Sequence, residues 1–313
     1  MKGMDKVKNL QELPKLRDSI SYLYVEHAII EQNDTAIVAI RKEGRVPIPI
    51  AAMTCLLLGP GISITHAAIR AICENGCMAI WCGEKMGRFY AAGIGETRSA
   101  KNLLIQAKAC MDDAMHLEVA KRMYEFRFPK VDISNKTLQQ LRGMEGIRVR
   151  KAYELAGKIN GIKWKRRSYK SDDWDASDPI NQALSEGNAL LYGICHAAII
   201  SLGYSAGLGF IHTGKQLSFV YDIADLYKAE TTIPAAFEVV KKGGDLTKET
   251  RICCRKYFTR IRLLDRIAQD ITWILQGDSK EQQENIIKAG ELWEKDGNTI
   301  PGGKNYAGRE TEE

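Results

Sequence analysis

No apolar run in the 313-residue sequence approaches the roughly 20 residues that a membrane-crossing helix needs. The stretch Met1 to Asn9 also lacks the hydrophobic segment of a signal peptide. A cytoplasmic chain without membrane contact is the expectation. Cysteine occurs eight times but never as a C-x-x-C pair, so free thiols are expected in a reducing cytosol. One spacing suggests zinc: Cys73, Cys77 and Cys82 with His66 nearby. These positions read as a helix, a turn and a strand in apolar surroundings, where small buried residues are the commoner explanation. Internal repeats are absent, which excludes solenoids and propellers.

Hydrophobic residues make up 45% and charged residues 27%, a balance that excludes global disorder. The length suggests two domains. The net charge of +6 is uneven. From Asp278 onward nine acidic side chains face five basic ones, leaving 40 basic against 30 acidic, or +10, on residues 1 to 277. A body of that sign suits a polyanionic partner.

Residues 19 to 92 read as short strands. Ser19 to Ile30, Thr35 to Arg41, Arg45 to Ile50, Met53 to Leu58, Met78 to Trp81 and Arg88 to Ala92 are rich in β-branched and aromatic residues and are separated by turn formers. A short helix, about Thr65 to Glu74 with Thr65 as N-cap, interrupts them. After Gly93-Ile94-Gly95 the period becomes helical, with segments at about 99–128, 136–158, 178–203, 216–229 and 247–275. Pro129, Gly161, Pro179, Pro234 and Gly243-Gly244 separate these segments. The expected class is α+β: an N-terminal sandwich-like β domain over 1–96, an all-α catalytic domain over 97–277, and a flexible tail over 278–313. The tail keeps isolated apolar anchors, among them Leu292, Trp293 and Ile300, as a segment that docks on a partner would.

Three features carry chemistry. In the segment 136–158, positions 138, 141, 145, 148, 152 and 155 share one face, and Glu145 and Arg148 interrupt an otherwise apolar stripe. Gly143 and Gly146 flank the carboxylate, each costing a helix about 1 kcal/mol relative to alanine, which predicts a close approach to this backbone. The structural alternative is a half-buried Glu145 paired with Arg142 or Arg148. The second feature is Gly209-Phe210-Ile211-His212-Thr213-Gly214-Lys215 and the amphipathic helix after it, where Asp222 and Asp225 share a face. A divalent cation would account for two aspartates in one turn; solvated aspartates and a hydrogen-bonded core histidine are the alternatives. The donor set suits Mg²⁺ or Mn²⁺, hence phosphodiester chemistry. The third feature is basic. Arg251, Arg255, Arg262 and Arg266 are spaced to fall on one face of a helix, and Lys163 to Tyr169 mixes cations with aromatics as single-strand binders do.

Gln140-Leu141-Arg142-Gly143-Met144-Glu145-Gly146, Phe210-Ile211-His212-Thr213-Gly214-Lys215 and Leu217-Ser218-Phe219-Val220-Tyr221-Asp222-Ile223-Ala224-Asp225 together resemble the CRISPR-associated integrase/endonuclease family Cas1, in its type I-E branch. The resemblance runs from about residue 16 to about 275. It implies metal ligands at Glu145, His212 and Asp225, with Asp222 assisting. It implies a homodimer, two of which clamp the small ferredoxin-like adaptation protein Cas2 in a heterohexamer. The implied reaction captures short double-stranded DNA with single-stranded 3′ overhangs and joins each 3′-hydroxyl to CRISPR repeat DNA by metal-dependent transesterification. A stand-alone nuclease acting on branched or single-stranded DNA is the alternative. Arg70, Arg88, Arg251 and Arg255 match DNA-gripping positions, Arg148 and Lys215 electrostatic helpers, and Tyr169, Trp174 and Tyr192 aromatic positions near the overhang. Two departures stand out: His27 where the family's type member has a tyrosine wedge, and Ser63 where it has a DNA-contacting arginine.

Overall fold

The computed structural model describes residues 22–33, 36–53, 55–84, 88–93, 100–164, 178–277, 291–293 and 299–301. The N-terminal part contains two four-stranded sheets. In one, β2 (Ile29–Asn33), β3 (Ala36–Arg41) and β4 (Gly44–Ile48) form an antiparallel meander, and β6 (Ser63–Ile64) pairs parallel to β2. In the other, β1 (Tyr22–Val25), β5 (Cys55–Leu58) and β7 (Met78–Cys82) run parallel, with β8 (Phe89–Gly93) antiparallel at the edge. The single strand expected over Ser19 to Ile30 is in fact two within its described part. His27 takes φ +51° between β1 and β2, where the chain crosses from one sheet to the other. The helix α1 (His66–Glu74) follows β6 and is capped by Thr65, whose hydroxyl accepts from the Ala68 amide.

All four residues of β5 are buried. Side chains alternate across a strand, so a wholly buried strand must be covered on both faces. Leu56, Leu58 and Ala79 of β5 and β7 join Ile30, Ile37 and Ile72 in a core between the sheets and α1. Cys55, Leu57, Met78 and Ile80 face the other way, into a core shared with the helices. The C-terminal helices therefore close over the second sheet.

Those helices are α2 (Lys101–Met111), α3 (Asp113–Arg127), α4 (Leu138–Asn160), α5 (Pro179–Ser201), α6 (Ser218–Tyr227), α7 (Thr232–Lys242), α8 (Leu246–Arg260) and α9 (Leu263–Gln276). α5 is the hub, packed by α6, α7, α8, α9 and strands β7 and β8. Its start is set by Asp178 as N-cap and Pro179 in the first turn. The α4 start is a full capping box between Thr137 and Gln140, and Gly161 ends the helix in the left-handed conformation.

Several helical expectations need correction. The segment 99–128 is two helices, because Asp112 turns extended and caps α3 with its own carboxylate. Pro234 does not separate helices but lies in the first turn of α7, where its missing N–H costs nothing. The segment 247–275 is broken at Arg262, φ +48°. Arg251, Arg255, Arg262 and Arg266 thus belong to two helices and a joint, not to one face. Farther along α4 the buried face passes to Ala156 and Gly157, leaving Leu155 exposed. Beyond Gly277 the described backbone is a short antiparallel pair, β9 (Glu291–Trp293) with β10 (Thr299–Pro301). Among the described residues no helix is long and apolar enough to cross a membrane.

Candidate metal centre

The loop before α6 is held by Asp222. Its carboxylate is fully buried and accepts from the amides of Phe210 (2.6 Å), Ile211 (3.0 Å) and His212 (2.8 Å). It also meets His212 Nδ1 at 2.7 Å. A carboxylate that already takes three N–H groups accepts here as well, so Nδ1 carries the proton and Nε2 of the neutral ring presents its lone pair. The same bond holds the imidazole above its ordinary pKa, against the opposing effect of burial. Gly209 makes the turn possible: a Cβ there would lie 2.2 Å from the His212 carbonyl oxygen. Asp222 therefore acts on the ring and the loop.

Asp225, one turn on, sits with Oδ2 3.9 Å from His212 Nε2. Its other oxygen pairs with Lys228 Nζ at 2.5 Å, and Lys228 also donates to the Tyr192 hydroxyl at 2.8 Å. Burial alone would lower the Lys228 pKa, but Asp225 and Tyr192 together hold it above the usual value. Glu145 comes from α4. Ile211 packs into the small core of Leu141, Tyr124 and Ile133, with Met144 alongside, so the His212 loop rests on the turn of α4 next to Glu145. The Glu145 carboxylate is gripped by Arg148 through two bonds, Nε at 2.9 Å and Nη2 at 3.0 Å, and Arg127 Nε lies 4.0 Å from Oε1. The structural alternative for Glu145, pairing with Arg148, is thus what its side chain does here.

Among the described residues no group of three His, Cys, Asp or Glu side chains is close enough to hold an ion. The structure brings His212 and Asp225 together and keeps Glu145 on its arginine. The donor chemistry still fits a divalent cation: a free imidazole nitrogen oriented by a buried carboxylate, an adjacent carboxylate, and a second one on the neighbouring helix.

The other sequence-predicted residues are dispersed. Lys215 is exposed on the same loop, Arg70 pairs with Glu74 on the solvent face of α1, and Arg88 is exposed just before β8. Arg251 bridges Glu186 of α5 and Glu84, tying α8 to the end of β7. Arg255 keeps Nε and Nη2 buried and without a partner among the described residues. Tyr192 stands beside Lys228 and meets Tyr221 edge-on, while Tyr169 and Trp174 lie outside the described residues. His27 and Ser63 are exposed, near one another in the fold at the β1–β2 crossing and on β6. Cys77 and Cys82 face different cores and all eight cysteines are free thiols, so the zinc spacing closes no site. Among the described residues no neighbouring part of the structure lies within 4 Å of a Cβ placed at Gly143 or Gly146, so none of them makes the approach that the glycines predict. Two residues escaped the sequence reading, Lys228 and Arg127. Lys228 repeats at Asp225 the three-residue spacing of Arg148 to Glu145, and that echo was the available signal.

The family profile described as CRISPR associated protein Cas1 matches residues 129–250, the span that contains Glu145, His212 and Asp225. The CRISPR-associated endonuclease Cas1 2 of Thermus thermophilus is 46% identical over 98% of this chain and 96% of its own length. The CRISPR-associated endonuclease Cas1 of Geobacter sulfurreducens is 43% identical over 85% of this chain and 87% of its own. A crystal structure of TtCas1 in complex with DNA superposes with a TM-score of 0.76 at 50% identity, covering 85% of this chain and all of that one. With such identity across nearly its whole length, the chain belongs to the CRISPR-associated Cas1 family.

Proposed function

We propose that this chain is a metal-dependent DNA endonuclease and adaptation integrase of the type I-E kind, which joins short foreign DNA into a CRISPR repeat. The observation that carries the reading is the Asp222 clamp, which presents His212 Nε2 beside Asp225 with the ring's other nitrogen committed. Relatives named CRISPR-associated endonucleases and a relative crystallised with DNA support it.

His212, Asp225 and Glu145 would hold Mg²⁺ or Mn²⁺, Glu145 after leaving Arg148. When bound, the ion would orient the attacking 3′-hydroxyl, lower its pKa and stabilise charge at phosphorus. The residues of the chain supply the rest. Asp222 fixes the ring and the loop. Arg148 and the exposed Lys215 offer charge to the phosphate, and no side chain need form a covalent intermediate. One phosphodiester bond forms as another breaks, so joining requires no external energy source. Water in place of the 3′-hydroxyl makes the same centre a nuclease.

Homodimer formation, assembly of two dimers with Cas2, and a substrate of duplex DNA with 3′ overhangs belong to this proposal. The test is a supercoiled plasmid bearing a repeat, incubated with short overhang DNA, Cas2 and Mn²⁺. Covalent joining supports the integrase, cleavage alone supports a stand-alone nuclease, and binding alone contradicts both.

A further inference from the structure

Both carboxylates assigned to the metal already have a cation three residues farther along the same helix: Arg148 for Glu145 and Lys228 for Asp225. At Glu145 the pairing is a two-bond fork that occupies both oxygens. The fork takes one acceptor site on each oxygen and balances the charge, so an ion and Arg148 compete for that carboxylate. Beside it, the Arg127 side chain is 3% exposed, and its Nε and one Nη have no hydrogen-bond partner among the described residues. A buried donor left without a partner loses its hydration and gains nothing in return, so an arrangement of this kind calls for an acceptor from elsewhere. Arg127 and Arg148 line the same cleft of about 700 Å³, together with Phe126, Leu226, Ala229 and Trp273. The third arginine of the cleft, Arg266, is engaged by Glu230, and Asp270 by the Tyr227 hydroxyl. The carboxylate of Glu125 also lines the cleft but is exposed to solvent.

We infer that Arg127 and Arg148 form a phosphodiester-binding pair whose fork Glu145 occupies until DNA takes it, so that nucleic acid and metal bind this centre cooperatively. A phosphodiester offers two non-bridging oxygens in the spacing that a guanidinium matches, and it carries the charge that Glu145 now supplies. Transfer of Arg148 from carboxylate to phosphate frees both Glu145 oxygens from the fork, and the same phosphate offers Arg127 its missing acceptor. The reverse holds by linkage: metal on Glu145 sets Arg148 free and tightens DNA. A chain without DNA then keeps a weakly loaded centre. The inference rests on the metal assignment above and adds an order of events to it.

The experiment measures Mn²⁺ binding to the full chain by electron paramagnetic resonance, with and without a short duplex bearing 3′ overhangs. His212→Ala with the same duplex serves as background for Mn²⁺ held by DNA alone. The duplex should tighten the His212-dependent Mn²⁺ by about tenfold. Arg148→Lys keeps the charge but loses the fork. It should tighten Mn²⁺ several-fold without DNA and remove most of the duplex effect, whereas Arg127→Gln should reduce the duplex effect alone. Arg150→Gln, which removes a charge from the exposed side of α4, should change neither. Equal Mn²⁺ affinity with and without duplex, no tightening in Arg148→Lys, or an equal change in Arg150→Gln would overturn the coupling while leaving the metal assignment intact. Absence of any His212-dependent Mn²⁺ in either condition would overturn both.

Discussion

Asp222 accepts three backbone N–H groups and a ring N–H without reaching solvent, and that load explains an aspartate buried in an apolar helix. Asp222→Asn keeps the shape but turns an NH₂ group toward N–H donors. It should cost about 2–4 kcal/mol in urea denaturation and weaken Mn²⁺ roughly tenfold or more, because the ring loses its anchor. Unchanged stability would mean that the loop is held otherwise. The sequence showed His212, Asp222 and Asp225 as anomalies of spacing, and it placed Asp222 and Asp225 on one side of α6. Spacing alone did not separate their jobs; only the family resemblance implied Asp225 as a ligand and Asp222 as its assistant. Which aspartate bends back to the loop depends on where Gly209 lets the chain turn, and that is a matter of three-dimensional closeness, not of period. Arg127 was illegible for a similar reason: a lone arginine in the last turn of a helix is ordinarily a solvated cap.

At the scale of the element, helix ends were legible and helix joints were not. Thr65, Thr137 with Gln140, and Asp178 with Pro179 are residue types that cap wherever they fall. Arg262 in the left-handed region carries no such signature, and the hydrophobic pattern continues through it into α9. On α4 the two glycines near Glu145 remain a weakness without a structural partner among the described residues. Among the described residues a methyl group at position 146 meets no neighbouring part within 4 Å, so Gly146→Ala should stabilise the protein by about 0.5–1 kcal/mol, read as a raised Tm. A lowered Tm would show that the helix backbone there is not as open as its surroundings indicate. If joining falls in the same variant, the approach that the glycines permit is made by the nucleic acid or a partner.

For the whole molecule, the seam between the β-rich part and the helices is a continuous core, because β5 and β7 bury both faces. Most strands of the N-terminal part were legible from their composition, although β1 and β2 read as one and β6 was not read as a strand. Their order was not, since the parallel pairs β1–β5 and β5–β7 join segments far apart in the chain. At the seam His196 of α5 stacks on Phe89 of β8 with ring centres 3.7 Å apart. Burial pushes its pKa down to about 4, from 6.5 in the unfolded chain. Between these values the unfolded state binds a proton that the folded state refuses, so this contribution to stability is complete above pH 6.5 and falls as pH drops toward 4. His196→Phe should therefore lose less stability than the parent chain between pH 7 and pH 5, measured by urea denaturation at both. An equal loss in both proteins would place the acid sensitivity elsewhere.

The most direct test of the assembled centre is the joining of short overhang DNA to a repeat-bearing plasmid by His212→Ala, in the presence of Cas2 and Mn²⁺. His212 is 43% exposed, and replacing it removes a donor without opening the core. The account predicts that joined product disappears while duplex binding stays within a few fold of the parent chain. Joining at the parent rate would contradict it.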